Sequence, residues 1–256
     1  MSQNATLMSD DATEDTTEIM SNGCTPVYFF SHGSTMMLGE ESESADYWKK
    51  AGDEALAHKI KGVIMMHRGR HAPRPRQVPV AYVHPSKYVD YKLNPDLKTA
   101  ERCISMLRDA GFDAAGNPTF DWIHDTFLVL IRMFPNGCPH HPHLHEQPLR
   151  PPLPHEGAAP DFWALEFRQA VEDVVRNNSG PALRRAMTRL MKHPMYRDAH
   201  ATDDHFMAAM FVAGLAGDEE DEGVHGELRA ETWELTNMCN SQFSFGAWPR
   251  TLATAG

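Results

Sequence analysis

Long apolar runs are missing from this chain. None reaches the roughly 18–20 residues that a helical membrane span needs, so no membrane partner is expected. Basic charge is scarce as well. The 24 Lys and Arg are outnumbered by 35 Asp and Glu, for a net charge of -11 with histidine neutral. That balance argues against a nucleic-acid partner, because phosphate binding needs a basic face. Cysteine is sparse: Cys24, Cys103, Cys138 and Cys239 are widely scattered, with no C-x-x-C pair. This excludes a disulfide framework or zinc knuckle and reads as free thiols in a reducing compartment. The opening MSQNATLMSDDATEDTTEIMSNG lacks the basic and apolar regions of a secretory signal, and a cytoplasmic location is the expectation. No Walker loop, dinucleotide fingerprint, nucleophile elbow or HExxH occurs.

What is present suits one globular domain. The chain has 256 residues, 41% of them hydrophobic, enough for a sizeable core. Residues 1–23 are expected to form a disordered tail, and 24–250 the folded domain. Acidic patches at 10–18 and 218–222 read as solvated tail and loop. Val27 to Phe30 fits a buried strand, 44–58 a helix, and 62–66 a second buried strand. Strand, helix, strand at this spacing favours a parallel pair. The fold class expected is therefore α/β: a single domain with a central mixed, mostly parallel sheet flanked by helices.

Residues 67–79 are basic and proline-rich and should be irregular. A short strand is expected at 80–83. A helix is expected at 95–110, with Asn94 as N-cap, Leu97, Ile104 and Leu107 near one face, and Gly111 as the stop. Phe112 to Ala114 suit the start of a strand. An apolar segment at 124–133 ends at Pro135-Asn136-Gly137. From 138 to 160 the chain turns aperiodic and rich in Pro and His, an insert-like segment. Helices are expected at 162–176, 181–192 and 204–215, and a last strand within 231–245.

Histidines carry the chemistry. Neutral imidazoles at the ends of buried elements are a common way to hold a catalytic divalent metal. His32 follows the first strand and precedes Gly33-Ser34. The carboxyl end of an α/β strand faces the ligand crevice, and Gly33 allows close approach; the competing reading is a capping histidine. His67 and His71 follow the expected second strand in a similar position, although Arg68, Arg70, Arg74 and Arg76 would repel a cation. His124-Asp125 suits a histidine oriented by a carboxylate, or equally a helix N-terminal pair. His200 and His205 are five apart, not the i, i+4 of a helical clamp, so only His205 is expected as a ligand. His140, His141, His143, His145 and His155 form a His-rich tract, too proline-rich for a preorganised cage.

Taken together, these pieces resemble the class III extradiol ring-cleavage dioxygenases, and within them the DOPA 4,5-dioxygenase type. Phe30-Ser31-His32-Gly33-Ser34 is similar to that family's opening His-Gly-Ser-Pro, with Thr35 in place of proline. Asp121 to Phe127, leading to Met133-Phe134-Pro135, resembles its Leu-Asp-His-Gly segment. His200-Ala201-Thr202-Asp203-Asp204-His205-Phe206 resembles its His-Pro-Thr-x-Glu-His-Phe, and Ser244-Phe245-Gly246 its closing pattern. The likeness runs from about 26 to 137 and from 161 to 246. It implies a mononuclear non-haem Fe²⁺ (or Zn²⁺) held by His32, by His67 or His71, and by His205. It also makes His124, as a substrate contact, and His200 the candidate catalytic positions. Substrate and partner would be a small catechol-type aromatic and O₂. Few protein ligands leave coordination positions for both, and a further histidine serves as acid and base.

One departure is large. The family carries its acid–base histidine in a Gly-x-Gly-x-x-x-His-Asn-Leu strand between the Pro135 region and the helix starting near Phe162. No such motif occurs here, and the His-rich tract stands in its place. The sheet is accordingly expected to be incomplete relative to the family. Shifted by one nucleotide, consecutive His codons read as Thr or Ile, and the tract then permits a stretch resembling the family's next strand; a frame-altered segment would account for the departure. As written, the chain should show little ring cleavage. The alternatives are a non-catalytic metal- or ligand-binding relative and, more weakly supported, a zinc hydrolase.

Overall fold

The computed structural model describes residues 26–65, 76–77, 80, 83–116, 121–122, 124–137 and 159–249. The expected tail and His-rich segment lie outside them, apart from residues 159–160. The central sheet has three strands, β1 (Val27–Phe30), β4 (Gly226–Glu234) and β5 (Met238–Phe245), in the order β1-β5-β4. Both pairings are antiparallel: Val27 sits opposite Phe245, and Glu234 opposite Met238. Three residues link β4 to β5, and Leu235 among them takes a positive φ of 58°. The expectation of one last strand within 231–245 is thus corrected to a hairpin. A separate parallel pair joins β2 (Arg76–Gln77) to β3 (Asp121–Trp122).

The α/β class holds, but the mostly parallel central sheet does not. Residues 61–65 are irregular rather than a strand, and Ile64 is 72% exposed. A parallel partner for β1 requires a long crossover, whereas the β4–β5 hairpin closes over a short loop at small entropic cost. Once formed, that hairpin offers β1 an antiparallel edge. Neither Val80 nor Val83 belongs to a strand, and 112–116 are irregular.

The helices are α1 (Glu43–Ala57), α2 (Leu97–Asp109), α3 (His124–Met133), α4 (Phe162–Asn177), α5 (Gly180–Leu190), α6 (Tyr196–Ala199) and α7 (Asp204–Leu215). Ser42 caps α1 by accepting from the Ala45 amide. The cap of α2 is Asp96, which accepts from the Lys98 and Thr99 amides, rather than Asn94. Gly111, at φ 89°, ends that helix as expected. No residue of α2 is buried, so its apolar spacing marks a helix without supplying core.

The sheet divides two cores. On one face, Tyr28 and Phe30 pack with α1 and α3, where Trp48, Ala51, Phe127, Leu128 and Phe134 are buried. Gly52 permits the α1–α3 approach, since a Cβ there would overlap the Met133 carbonyl. On the other face, Val27, Phe29, Phe243 and Phe245 meet Phe167, Leu183, Met187, Tyr196 and Phe206 of α4–α7. Among the described residues, no helix is long and apolar enough to cross a membrane.

Candidate functional site

His32 lies just beyond β1, on a turn fixed by the ends of all three strands. Ser31 Oγ donates to Asn240 Oδ1 of β5 at 3.1 Å, and Gln242 Nε2 donates to the Ser31 carbonyl at 3.0 Å. Gly33 then adopts φ 62°, the left-handed region that favours glycine. The Ser34 amide donates to Glu234 Oε2 at 2.7 Å, and Asn240 Nδ2 donates to the same oxygen at 2.7 Å. Ser34 Oγ accepts from the Met36 amide at 3.2 Å, capping the 3₁₀ turn Thr35–Leu38. The far end of this loop is gripped from α3, where Arg132 donates to the carbonyls of Met37, at 3.0 Å, and Glu40. Burial lowers the Arg132 pKa, with Asp46 and Glu41 opposing.

The imidazole of His32 is half-buried, with Nδ1 2.7 Å from the Gly33 carbonyl. A carbonyl only accepts, so Nδ1 carries a proton; in the neutral ring the lone pair is then on Nε2. That tautomer, fixed by a backbone carbonyl, is the usual state of a metal-ligating histidine, so the ring suits one position of a divalent cation's ligand set.

His200 and His205 flank the start of α7. The His200 ring sits among Phe167 (5.4 Å between centroids, 80° between planes), Tyr196 (5.5 Å) and Phe206 (5.3 Å). Burial depresses its pKa, His205 adds to the depression, and Asp203 and Asp204 oppose it. Tyr196 Oη donates to Asp203 Oδ1 at 3.0 Å and Arg197 to the same oxygen at 2.6 Å. Arg197 and then Tyr196 pull the Asp203 carboxyl below its ordinary value. His205 is exposed on the first turn of α7, and α7 packs on β1.

Of the expected site residues, the structure describes the side chains of His32, just past β1, and of His200 and His205, about the start of α7. His124 opens α3, its side chain outside the described part. His67, His71 and the five histidines of the tract lie outside the described residues. Among the described residues, no three His, Cys, Asp or Glu side chains gather in a group able to hold a metal ion. Cys103 and Cys239 are free, and burial drives the Cys239 thiol up to about 12.

Sequence reasoning missed Glu234, Asn240 and Arg132. Glu234 stands between Trp233 and Leu235 at the end of a strand, where a carboxylate reads as solvent-facing, yet it is only 4% exposed. The one available signal was the strand period of two, which puts it on the same face as buried Ala230.

A second ionic cluster lies across the sheet. Arg168 of α4 donates to Glu231 Oε2 at 2.6 Å and to Glu172. Burial raises the Glu231 pKa, but Arg168, Ser241 and Trp233 outweigh it and leave it lowered. Beside this cluster runs a groove of about 700 Å³ lined by Phe162, Leu165, Gln169, His193 and Glu231. The chain matches no protein-family model and no curated protein.

Proposed function

We propose that this chain is an extradiol-type ring-cleavage dioxygenase by descent, acting on a catechol-type aromatic with a mononuclear non-haem Fe²⁺, or Zn²⁺, as its cofactor. The observation that carries this reading is the His32 turn. Its imidazole is oriented by a backbone carbonyl, and its backbone is held by buried polar groups from two other strands. His32, His205 and one of His67 or His71 would hold the metal. When bound, it supplies coordination positions for both catechol oxygens and for O₂. His124 contacts the substrate in this reading. The aromatic-lined His200 is assigned the acid–base role in this reading.

The test is anaerobic loading of the purified chain with Fe²⁺, followed by metal analysis and by O₂ uptake with a catechol. One equivalent of iron, lost in H32A and H205A, is expected, with little or no yellow ring-opened product. Robust turnover abolished in H200A would show that His200 replaces the missing acid–base histidine. Failure of the wild type to bind metal would overturn the reading. The missing Gly-x-Gly-x-x-x-His-Asn-Leu strand favours one second reading, a non-catalytic metal- or ligand-binding relative; tight metal binding without any O₂ uptake would select it.

A further inference from the structure

Residues 31–42 connect β1 to α1 without regular pairing over most of their length, so the direction of the His32 ring depends on what holds this backbone. Three hydrogen bonds converge there: Ser31 Oγ to Asn240 Oδ1 (3.1 Å), Asn240 Nδ2 to Glu234 Oε2 (2.7 Å), and Ser34 N to that same oxygen (2.7 Å). The chain around His32 is thereby tied to β5 and to the far edge strand β4. Contact is close, since a Cβ on Gly33 would lie 2.5 Å from Glu234 Oε2 and overlap Met37 Sδ. Burying a carboxylate is costly unless hydrogen bonds satisfy it, and at 4% exposure Glu234 has left water. Such a group is poorly explained by general stability, because an apolar residue would fill the same volume more cheaply.

We propose that Glu234, with Asn240, is the positioning residue for His32: its carboxylate holds the His32-Gly33-Ser34 turn and so sets the imidazole for a metal. The metal half of this statement rests on the reading above; the turn half does not. Charge-assisted bonds from backbone amides to carboxylates are short and strong, and groups that orient a ligating histidine typically change metal affinity about 10–100-fold when removed.

The test compares wild type, E234A, E234Q and H32A as full chains, by two readouts. The first is the Ser34 amide in an ¹⁵N spectrum; the second is Co²⁺ affinity by competition with a chelator. E234A is expected to speed Ser34 amide exchange about tenfold or more, the effect of losing a hydrogen bond to a charged group, and to weaken Co²⁺ about 10–100-fold. E234Q keeps an oxygen to accept from Ser34. It should hold Co²⁺ nearly as wild type does, while the Ser34 amide proton moves upfield as the charge is removed. That shift stays measurable even if E234A does not fold. An unmoved Ser34 resonance in E234Q, or Co²⁺ affinity in folded E234A equal to wild type, overturns the proposal. If H32A binds Co²⁺ as tightly as wild type, the metal reading falls instead, and the anchoring of the turn is decided by the Ser34 amide.

Discussion

On one side of β5, Phe243 and Phe245 press against Phe167, Leu183 and Phe206; on the other, Asn240, Gln242 and Ser244 lie under α1. Both rows are buried, Phe243 at 3% exposure and Gln242 at 0%. The apolar row is held by area removed from water, which is tolerant of shape. The polar row is held by pairing. Trp48 Nε1 donates to Gln242 Oε1 at 2.8 Å, Ser44 Oγ to the Asn240 carbonyl at 3.0 Å, and Arg229 Nε to Ser244 Oγ at 2.7 Å. A buried polar group costs little when paired and a great deal when its partner is removed. One face of a single strand therefore supplies adhesion and the other geometry, and the His32 turn is built on the second.

The comparison breaks most visibly at Trp48, which is fully buried and serves both as apolar bulk and as hydrogen-bond donor. W48A is expected to cost about 3–5 kcal/mol in urea unfolding, and a smaller loss would mean that α1 is loosely seated. Next is the contrast between neighbours. Q242L strands the Trp48 N–H and should cost about 1–3 kcal/mol, while F243L should cost less than about 1.5 kcal/mol. Adding W48F to Q242L removes the Trp48 donor, but the Ser31 and Asn240 carbonyls still lose the Gln242 amide, so the penalty of Q242L should be smaller in the W48F background than in wild type without vanishing. Equal penalties for Q242L and F243L would abolish the distinction between the faces.

The smallest effect is electrostatic and belongs to the apolar side. The folded-state pKa of His200 is depressed by burial, so between that value and its unfolded value, about 6.5, the unfolded chain binds more protons. Its contribution to stability is complete above the unfolded value and is lost as pH falls toward the folded one. H200F keeps an aromatic ring among Phe167, Tyr196 and Phe206 and should flatten the acid side of a stability–pH profile recorded by denaturant midpoint. An unchanged acid limb would assign that limb to carboxylates such as Asp203 and Glu231, whose pKa values are also lowered.

Period and punctuation in the chain pointed to β1, α1, α4, α5 and α7, because each carries its own signal: an apolar run, a 3.6-residue stripe or a nearby cap. The same logic failed at residues 62–66. An apolar run states that burial is wanted but not which partner will provide it, and β1 took β5 instead. It was incomplete at 231–245, where one last strand was expected and a hairpin of β4 and β5 formed. In the candidate site, His32, His200 and His205 were legible as residue types at element ends. Glu234, Asn240 and Arg132 were not, since each matters only through a backbone group distant in the chain.

The order of residues by itself determined where most helices start and stop, and that a histidine would follow the first strand, because those are matters of local propensity and neighbouring side chains. Only the tertiary structure decided that the sheet is antiparallel, that a glutamate would be buried beneath Gly33, and that His200 would be enclosed by aromatic rings. Each of these rests on contacts between segments far apart in the chain, whose energy depends on desolvation and pairing that no local pattern encodes.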